Sequence, residues 1–223
     1  MKDFMSNFIP QNLTQTLILT IGFLGQIFFA GRIFLQWILS ERAKKVVSPL
    51  MFWVFSIAGS YLFFIYGWLR QDFAIIFGQF ISYYIYLWNL KAQGVWIKLA
   101  SVVRYILILT PIAAIFGLIL SGASITDTLF RNDSIPMLLL LYGSLGQAIF
   151  TFRFIYQMLY SAKLKESVLP LGFWWLSLIG STIIITYGII RADLVLIIGQ
   201  AGGWIVYIRN ICIELQYRKQ QVK

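Results

Sequence analysis

The sequence predicts an all-α, polytopic membrane protein of seven transmembrane helices arranged three, one, three. Three observations carry that prediction. The 223 residues are 60% hydrophobic and 12% charged, where a soluble domain holds about 25% charged residues. The apolar residues fall into seven runs, each close to the roughly 20 residues that cross a hydrocarbon core. Finally, the chain repeats itself at an offset of about 121 residues.

The runs lie at 16–39, 50–69, 73–91, 99–120, 136–160, 171–190 and 194–214. Charged or Pro/Gly breaks separate them. In lipid every backbone N–H and C=O must be satisfied internally, so such runs are helices. They are apolar all round and lack the alternation of a membrane β-barrel. Pro49 and Pro170 open the second and sixth runs, where a first-turn proline is tolerated. Asp72 and Asp193 stand as N-caps before the third and seventh.

Gly22–Asn89 aligns with Gly143–Asn210 without a gap, and about 25 of roughly 68 positions are identical. Shared apolar composition does not explain the polar matches Gln26/Gln147, Arg32/Arg153, Gln36/Gln157, Gln79/Gln200 and Asn89/Asn210. The chain thus divides into a first three-helix repeat at 16–91, a linker helix and loop at 92–135, a second repeat at 136–214 and a basic tail at 215–223. A three-helix unit reverses direction and a single linker helix restores it, so the repeats are expected to run parallel.

The net charge of +10 does not indicate nucleic acid, because the basic residues sit in short connectors. One set of connectors holds Arg42, Lys44, Lys45, Lys91, Lys98, Lys163, Lys165, Arg218, Lys219 and Lys223, with Arg104 towards the same side. The other holds Lys2, Arg70, Arg131 and Arg191. The richer set is expected in the cytoplasm, with the N-terminus outside and the C-terminus inside. No cleavable signal peptide is expected. One cysteine, Cys212, excludes an intrachain disulfide, and the absence of histidine argues against a zinc site. No metal, cofactor or catalytic residue is expected, since no nucleophile–base pair or phosphate-binding glycine motif appears.

At about 100° per residue, Gly22, Gly25, Gln26, Phe29, Arg32, Gln36 and Ser40 fall within an arc of roughly 120° on the first helix. The residues shared by both repeats therefore face one way. Small residues such as Ser56/Ser60, Ser177/Ser181 and Gly199/Gly203 have the spacing of helix-packing faces. Two readings of the arginines stand. Arg32 lies about eight residues, or roughly 12 Å, before the cytoplasmic end, within reach of snorkelling to the interface. Yet it shares a face with Gln26 and Gln36, and an intramembrane arginine costs at least about 2.5 kcal/mol unless it meets a cavity or partner. All eight acidic residues lie in connectors or near helix ends. The missing anion is then a ligand, held by guanidinium and amide donors. On this reading Arg32 and Arg153 hold phosphate, Gln26, Gln36, Gln147 and Gln157 line the path, and Gln79, Gln200, Asn89 and Asn210 meet sugar or phosphate.

The stretch GFLGQIFFAGRIFLQWILSERAKKVVSPLMFWVFSIAGS…RQDFAIIFGQ, and its second copy GSLGQAIFTFRFIYQMLYSAKLKESVLPLGFWWLSLIGS…RADLVLIIGQ, resemble the lipid A biosynthesis N-terminal domain family. The shared marks are the GQ…R…Q helix, the Pro-x-x-Phe-Trp helix start and the R-x-D…GQ helix. That family is similar in turn to the PQ-loop and SWEET transporters, which implies substrate binding between two bundles and alternating access. The Pro-Gln dipeptide of those transporters is replaced here by Gly25-Gln26 and Gly146-Gln147. The resemblance implies a multi-pass protein of a bacterial inner membrane serving lipid A or envelope glycan synthesis. The leading expectation is a transporter or flippase of an anionic lipid-linked sugar or polyprenyl phosphate. The alternatives are a SWEET-like carrier of a small solute and a non-catalytic membrane partner of a glycosyltransferase. Lipid-A-disaccharide synthase activity is not expected, because the sequence shows no trace of the glycosyltransferase domain.

Overall fold

A computed structural model describes residues 12–70, 73–120 and 136–221. Their regular structure is helical: α1 (Leu13–Ala43), α2 (Leu50–Leu69), α3 (Phe73–Ala92), α4 (Ser101–Leu120), α5 (Met137–Leu164), α6 (Leu171–Ile190) and α7 (Leu194–Gln221), with a single 3-10 turn at Trp96–Lys98. Five of them (α1, α2, α5, α6 and α7) are long and apolar enough to cross a membrane. The protein is a multi-pass membrane protein. In α3 the amides, tyrosines and Lys91 lower the hydropathy, and the apolar stretch described in α4 is Ser101–Ala113.

Helices α1 and α7 run past the ends expected from charge. Glu41 lies in the last turn of α1, where it pairs with Arg209 of α7 and accepts from Trp37 Nε1 at 3.0 Å. Asn12 caps α1, its side chain accepting from Gln15 N at 2.8 Å. Both α1 and α5 stop on a lysine with left-handed backbone, Lys44 (φ 52°) and Lys165 (φ 57°). Pro49 and Pro170 sit one residue earlier than a first helical position. They are extended N-caps whose carbonyls accept from Phe52 N and Phe173 N. Asp193 caps α7 as expected, accepting from Leu196 N at 3.1 Å. Asp72 lies outside the described residues.

Helix α1 packs on α2 and α2 on α3; α5 packs on α6 and α6 on α7. Two further seams, α1 against α7 and α3 against α5, join the two sets. Glycines let the backbones close. A Cβ at Gly25 would lie 3.4 Å from the Gly59 carbonyl oxygen, and one at Gly180 only 2.9 Å from Phe150 N. Helix α4 hangs on α3 through tyrosines. Pro111 has no N–H to give Leu107 O, and Tyr83 OH takes that place at 2.7 Å, with Tyr84 OH on Ile108 O at 3.0 Å. Exposed apolar side chains such as Val102, Ile106, Leu109 and Phe116 cover the rest of α4, a surface suited to lipid.

Candidate functional site

The repeated polar face turns inward. Arg32 and Arg153 are 3% and 1% exposed. Among the described residues no carboxylate bonds either guanidinium. Aromatic faces surround them instead. The Arg32 guanidinium carbon lies 4.5 Å from the Phe29 ring centre, 5.2 Å from Phe52, 5.5 Å from Tyr86 and 5.4 Å from Phe154. Arg153 lies 3.3 Å from Phe150, 4.6 Å from Phe154, 5.2 Å from Phe173 and 5.9 Å from Tyr207. Phe29/Phe150, Phe52/Phe173 and Tyr86/Tyr207 are equivalent pairs. Desolvated cation–π contacts are worth up to about 2 kcal/mol each, so the rings offset much of the burial cost. Snorkelling is not what these side chains do: both point into the protein.

Polar satisfaction is incomplete. Arg32 Nη1 donates to Ser56 Oγ at 2.7 Å, whereas Arg153 has Tyr207 as its polar neighbour. The Nε atoms of both arginines, Thr151 Oγ1 and Gln200 Oε1 are buried without a hydrogen-bond partner. Such groups are uncommon because each costs about 1–3 kcal/mol. Four of them border one cavity.

That cavity lies between the two sets of helices. Its lining includes Arg32, Arg153, Gln26, Gln79, Gln147 and Gln200, with the rings Phe29, Phe150, Phe154, Tyr86 and Tyr207. Its volume is about 30 Å³, room for one or two waters. Six of the ten residues expected at the site therefore converge on it.

The other four do not line it. Gln36 and Asn210 exchange reciprocal amide bonds across the α1–α7 seam, at 2.9 and 3.1 Å. Gln157 and Asn89 do the same across α3–α5, at 2.9 and 3.0 Å. Gln36 Nε2 also donates to Ser40 Oγ, and Gln157 Nε2 to Ser161 Oγ and Val168 O. Their amides are spent on fastening the seams. Sequence periodicity placed them on the right face and had no means of telling a helix-to-helix clasp from a ligand contact. Thr151 was missed for a related reason: its counterpart is Ala30, so no repeat match drew attention to it.

Each seam also carries a lateral apolar cleft. At α1–α7 it measures about 240 Å³ and is lined by Phe23, Gln26, Ile27, Phe34, Ile198 and Gly199, among others. At α3–α5 it measures about 360 Å³ and is lined by Phe77, Gly78, Ile81, Gln147, Thr151 and Phe152, among others. Gln26 and Gln147 belong to both a cleft and the central cavity. Each rests on a glycine of the facing helix, Gly199 and Gly78, where a Cβ would overlap the glutamine amide. One glutamine thus stands between the arginine cavity and each cleft.

The profile of the lipid A biosynthesis N-terminal domain matches residues 21–91 and again residues 142–212. The chain belongs to that family. The two matches reproduce the offset of 121 between 21 and 142. Among curated relatives, the lipid-A-disaccharide synthase of Chlamydia pneumoniae is 29% identical over 221 residues, 96% of this chain and 35% of the relative. The lipid-A-disaccharide synthase of Chlamydia felis is 26% identical over 223 residues, again 96% and 35%. The chain spans about a third of the length of the curated relatives it matches. No solved structure matches it.

Proposed function

We propose that this family member moves an anionic, lipid-linked sugar or polyprenyl phosphate across a bacterial inner membrane, in the service of lipid A or a related envelope glycan. The observation that carries the reading is the contact between an aromatic-walled cavity with two uncountered arginines and two apolar clefts at its sides. A head group held by arginine and a hydrocarbon tail left in lipid require that combination. A small soluble solute does not need the clefts. The phosphate lies on Arg32 and Arg153, with Gln26, Gln79, Gln147 and Gln200 donating to phosphate or sugar oxygens.

A cavity of about 30 Å³ does not admit a sugar phosphate, so transport requires the seams to part. The reading takes α1–α3 and α5–α7 as parallel units, related by an axis along the membrane normal and linked by the reversing helix α4. The N-terminus is placed outside and the C-terminus in the cytoplasm. Rocking of one unit against the other exposes the arginines to either side in turn.

A second reading has one observation behind it: curated relatives bearing the synthase name are about three times as long. Here the cavity presents a lipid substrate to a glycosyltransferase and moves nothing across the membrane.

The test is reconstitution in liposomes with a fluorescent short-chain polyprenyl phosphate. Bilayer crossing is expected for the wild type and lost in Arg32→Gln/Arg153→Gln that still folds. No crossing of any anionic lipid by the wild type, with binding retained, moves the assignment to substrate presentation. Equal crossing by both proteins removes the arginines from the site.

A further inference from the structure

The two clefts occupy equivalent positions, yet they differ in three independent ways. The α3–α5 cleft is the larger, about 360 against 240 Å³. It alone has a hydroxyl at the boundary with the arginine cavity. Thr151 is 5% exposed, lines both spaces and leaves Oγ1 without a partner; Ala30 is its counterpart at the other seam. The seams are also fastened differently. Glu41 and Arg209 form an ion pair across α1–α7, while Ala162 and Trp88 stand at the equivalent positions of α3–α5.

We propose that the α3–α5 cleft is the chain-binding subsite for a single-chain prenyl or alkyl phosphate, with the phosphate on Arg153 and Thr151 and the chain along Phe77 and Phe152. The proposal rests on the anionic-lipid reading and adds to it a side and a discriminating residue. The hydroxyl of Thr151 and the Nε–H of Arg153 are two donors with no other use. A phosphate has acceptors for both. Arg32 donates from Nη1 to Ser56 Oγ and keeps its own Nε–H unpartnered, and it supplies positive charge from α1. The guanidinium carbons lie 5.4 and 4.6 Å from the one Phe154 centroid, hence no more than about 10 Å apart. One phosphate therefore feels both charges while bonding one side. The α1–α7 seam, where Ala30 stands in place of Thr151, serves as the hinge.

The probe is farnesyl phosphate with a diazirine at the far end of its chain, photolysed on the full chain in nanodiscs and mapped by mass spectrometry. Labels competed by unlabelled farnesyl phosphate are expected on Phe77, Ile81 and Phe152. Two plugs separate the seams: Ala148→Trp in the α3–α5 cleft and Gly202→Trp in the α1–α7 cleft. Ala148 is exposed and an added Cβ at Gly202 meets nothing within 4 Å, so both variants are compatible with the fold. Ala148→Trp is expected to abolish the competed label and Gly202→Trp to leave it. Thr151→Ala is expected to weaken competition about fivefold or more, with Thr151→Ser restoring it. Competed labels on Phe23 and Ile198, or equally on both seams, overturn the assignment of side while the anionic-lipid reading survives. Equal competition by farnesol overturns the phosphate subsite as well. No competed label at either seam defeats the anionic-lipid reading itself.

Discussion

The two family segments, 21–91 and 142–212, share their arginines, clasps and glycine-seated glutamines, but they part company at a handful of positions. Ile33 in the first corresponds to Phe154 in the second. Phe154 reaches both guanidiniums, so one aromatic ring from one repeat serves the cationic groups of two. Ser48 corresponds to Leu169. Trp53 Nε1 accordingly donates to Ser48 Oγ at 3.1 Å, whereas Trp174 Nε1 is buried without a partner. Gln79 Oε1 accepts from Ser60 Oγ at 3.1 Å, whereas Gln200 Oε1 is unpartnered. The first segment is the more fully satisfied, and the second keeps more unspent polar groups around the cavity. Duplication supplies a symmetric frame. Departures from it leave more unpartnered polar groups in the second segment.

The largest effects lie where the halves are fastened. Asn89→Leu leaves Gln157 Oε1 without a donor, while Gln157 Nε2 keeps Ser161 Oγ and Val168 O, and it also removes the Asn89 acceptor of Ser167 Oγ, 2.8 Å away. Asn210→Leu leaves only Gln36 Oε1 unmet, since Gln36 Nε2 keeps Ser40 Oγ. At about 1–3 kcal/mol for each buried group left unmet, both are expected to lower the denaturation midpoint of the purified protein in detergent. Asn89→Leu is expected to lower it more. Equal losses would mean that Ser167 contributes nothing to the α3–α5 clasp.

Phe154→Ile makes the second segment resemble the first and takes one ring from each arginine. A loss of about 1–2 kcal/mol is expected, measured as the same midpoint. In an Arg32→Gln background the cost is expected to fall, because one of the two contacts is already gone. A cost unchanged by Arg32→Gln would mean that Phe154 acts through packing alone. Ser48→Ala is expected to cost about 1 kcal/mol by leaving Trp53 in the state of Trp174, again read from the midpoint.

How much of this was legible in the sequence follows from what each residue does. The apolar runs, the repeat and the inward face were readable because composition, register and helical period are local properties. Arg32, Arg153 and the four cavity glutamines were reachable because a charge without a counter-ion at membrane depth needs an account. The clasps were not, since Gln36 and Asn210 are separated by 174 positions and only tertiary structure shows that their amides meet. Thr151 and Phe154 escaped because identity between the copies marks shared residues, and these two differ from their counterparts Ala30 and Ile33. The extension of α1 past residue 39 escaped because a charge such as Glu41 reads as the end of a span, whereas it stays in the helix beside Arg209.

The smallest effect on stability concerns that ion pair, and it bears most directly on the two seams. Glu41 and Arg209 are 36% and 43% exposed, and exposed pairs add little to stability and are screened by salt. Glu41→Gln is therefore expected to leave the denaturation midpoint almost unchanged. The informative experiment transplants the pair. Ala162→Glu with Trp88→Arg places the same charges across α3–α5, at the equivalent positions. If the seams part at α3–α5 during transport, the added tie is expected to slow bilayer crossing several-fold at low salt, with recovery as salt rises and screening shortens the reach of the charges. The midpoint is expected to stay near that of Trp88→Gln/Ala162→Gln, which controls for loss of the indole. Faster crossing in Glu41→Gln, with no slowing in the transplant, would instead make α1–α7 the moving seam. The roles of the two halves would then be exchanged: the ion pair would hold a gate shut, and the α3–α5 contact, with its extra Ser167 bond to Asn89, would be the fixed hinge about which the protein turns.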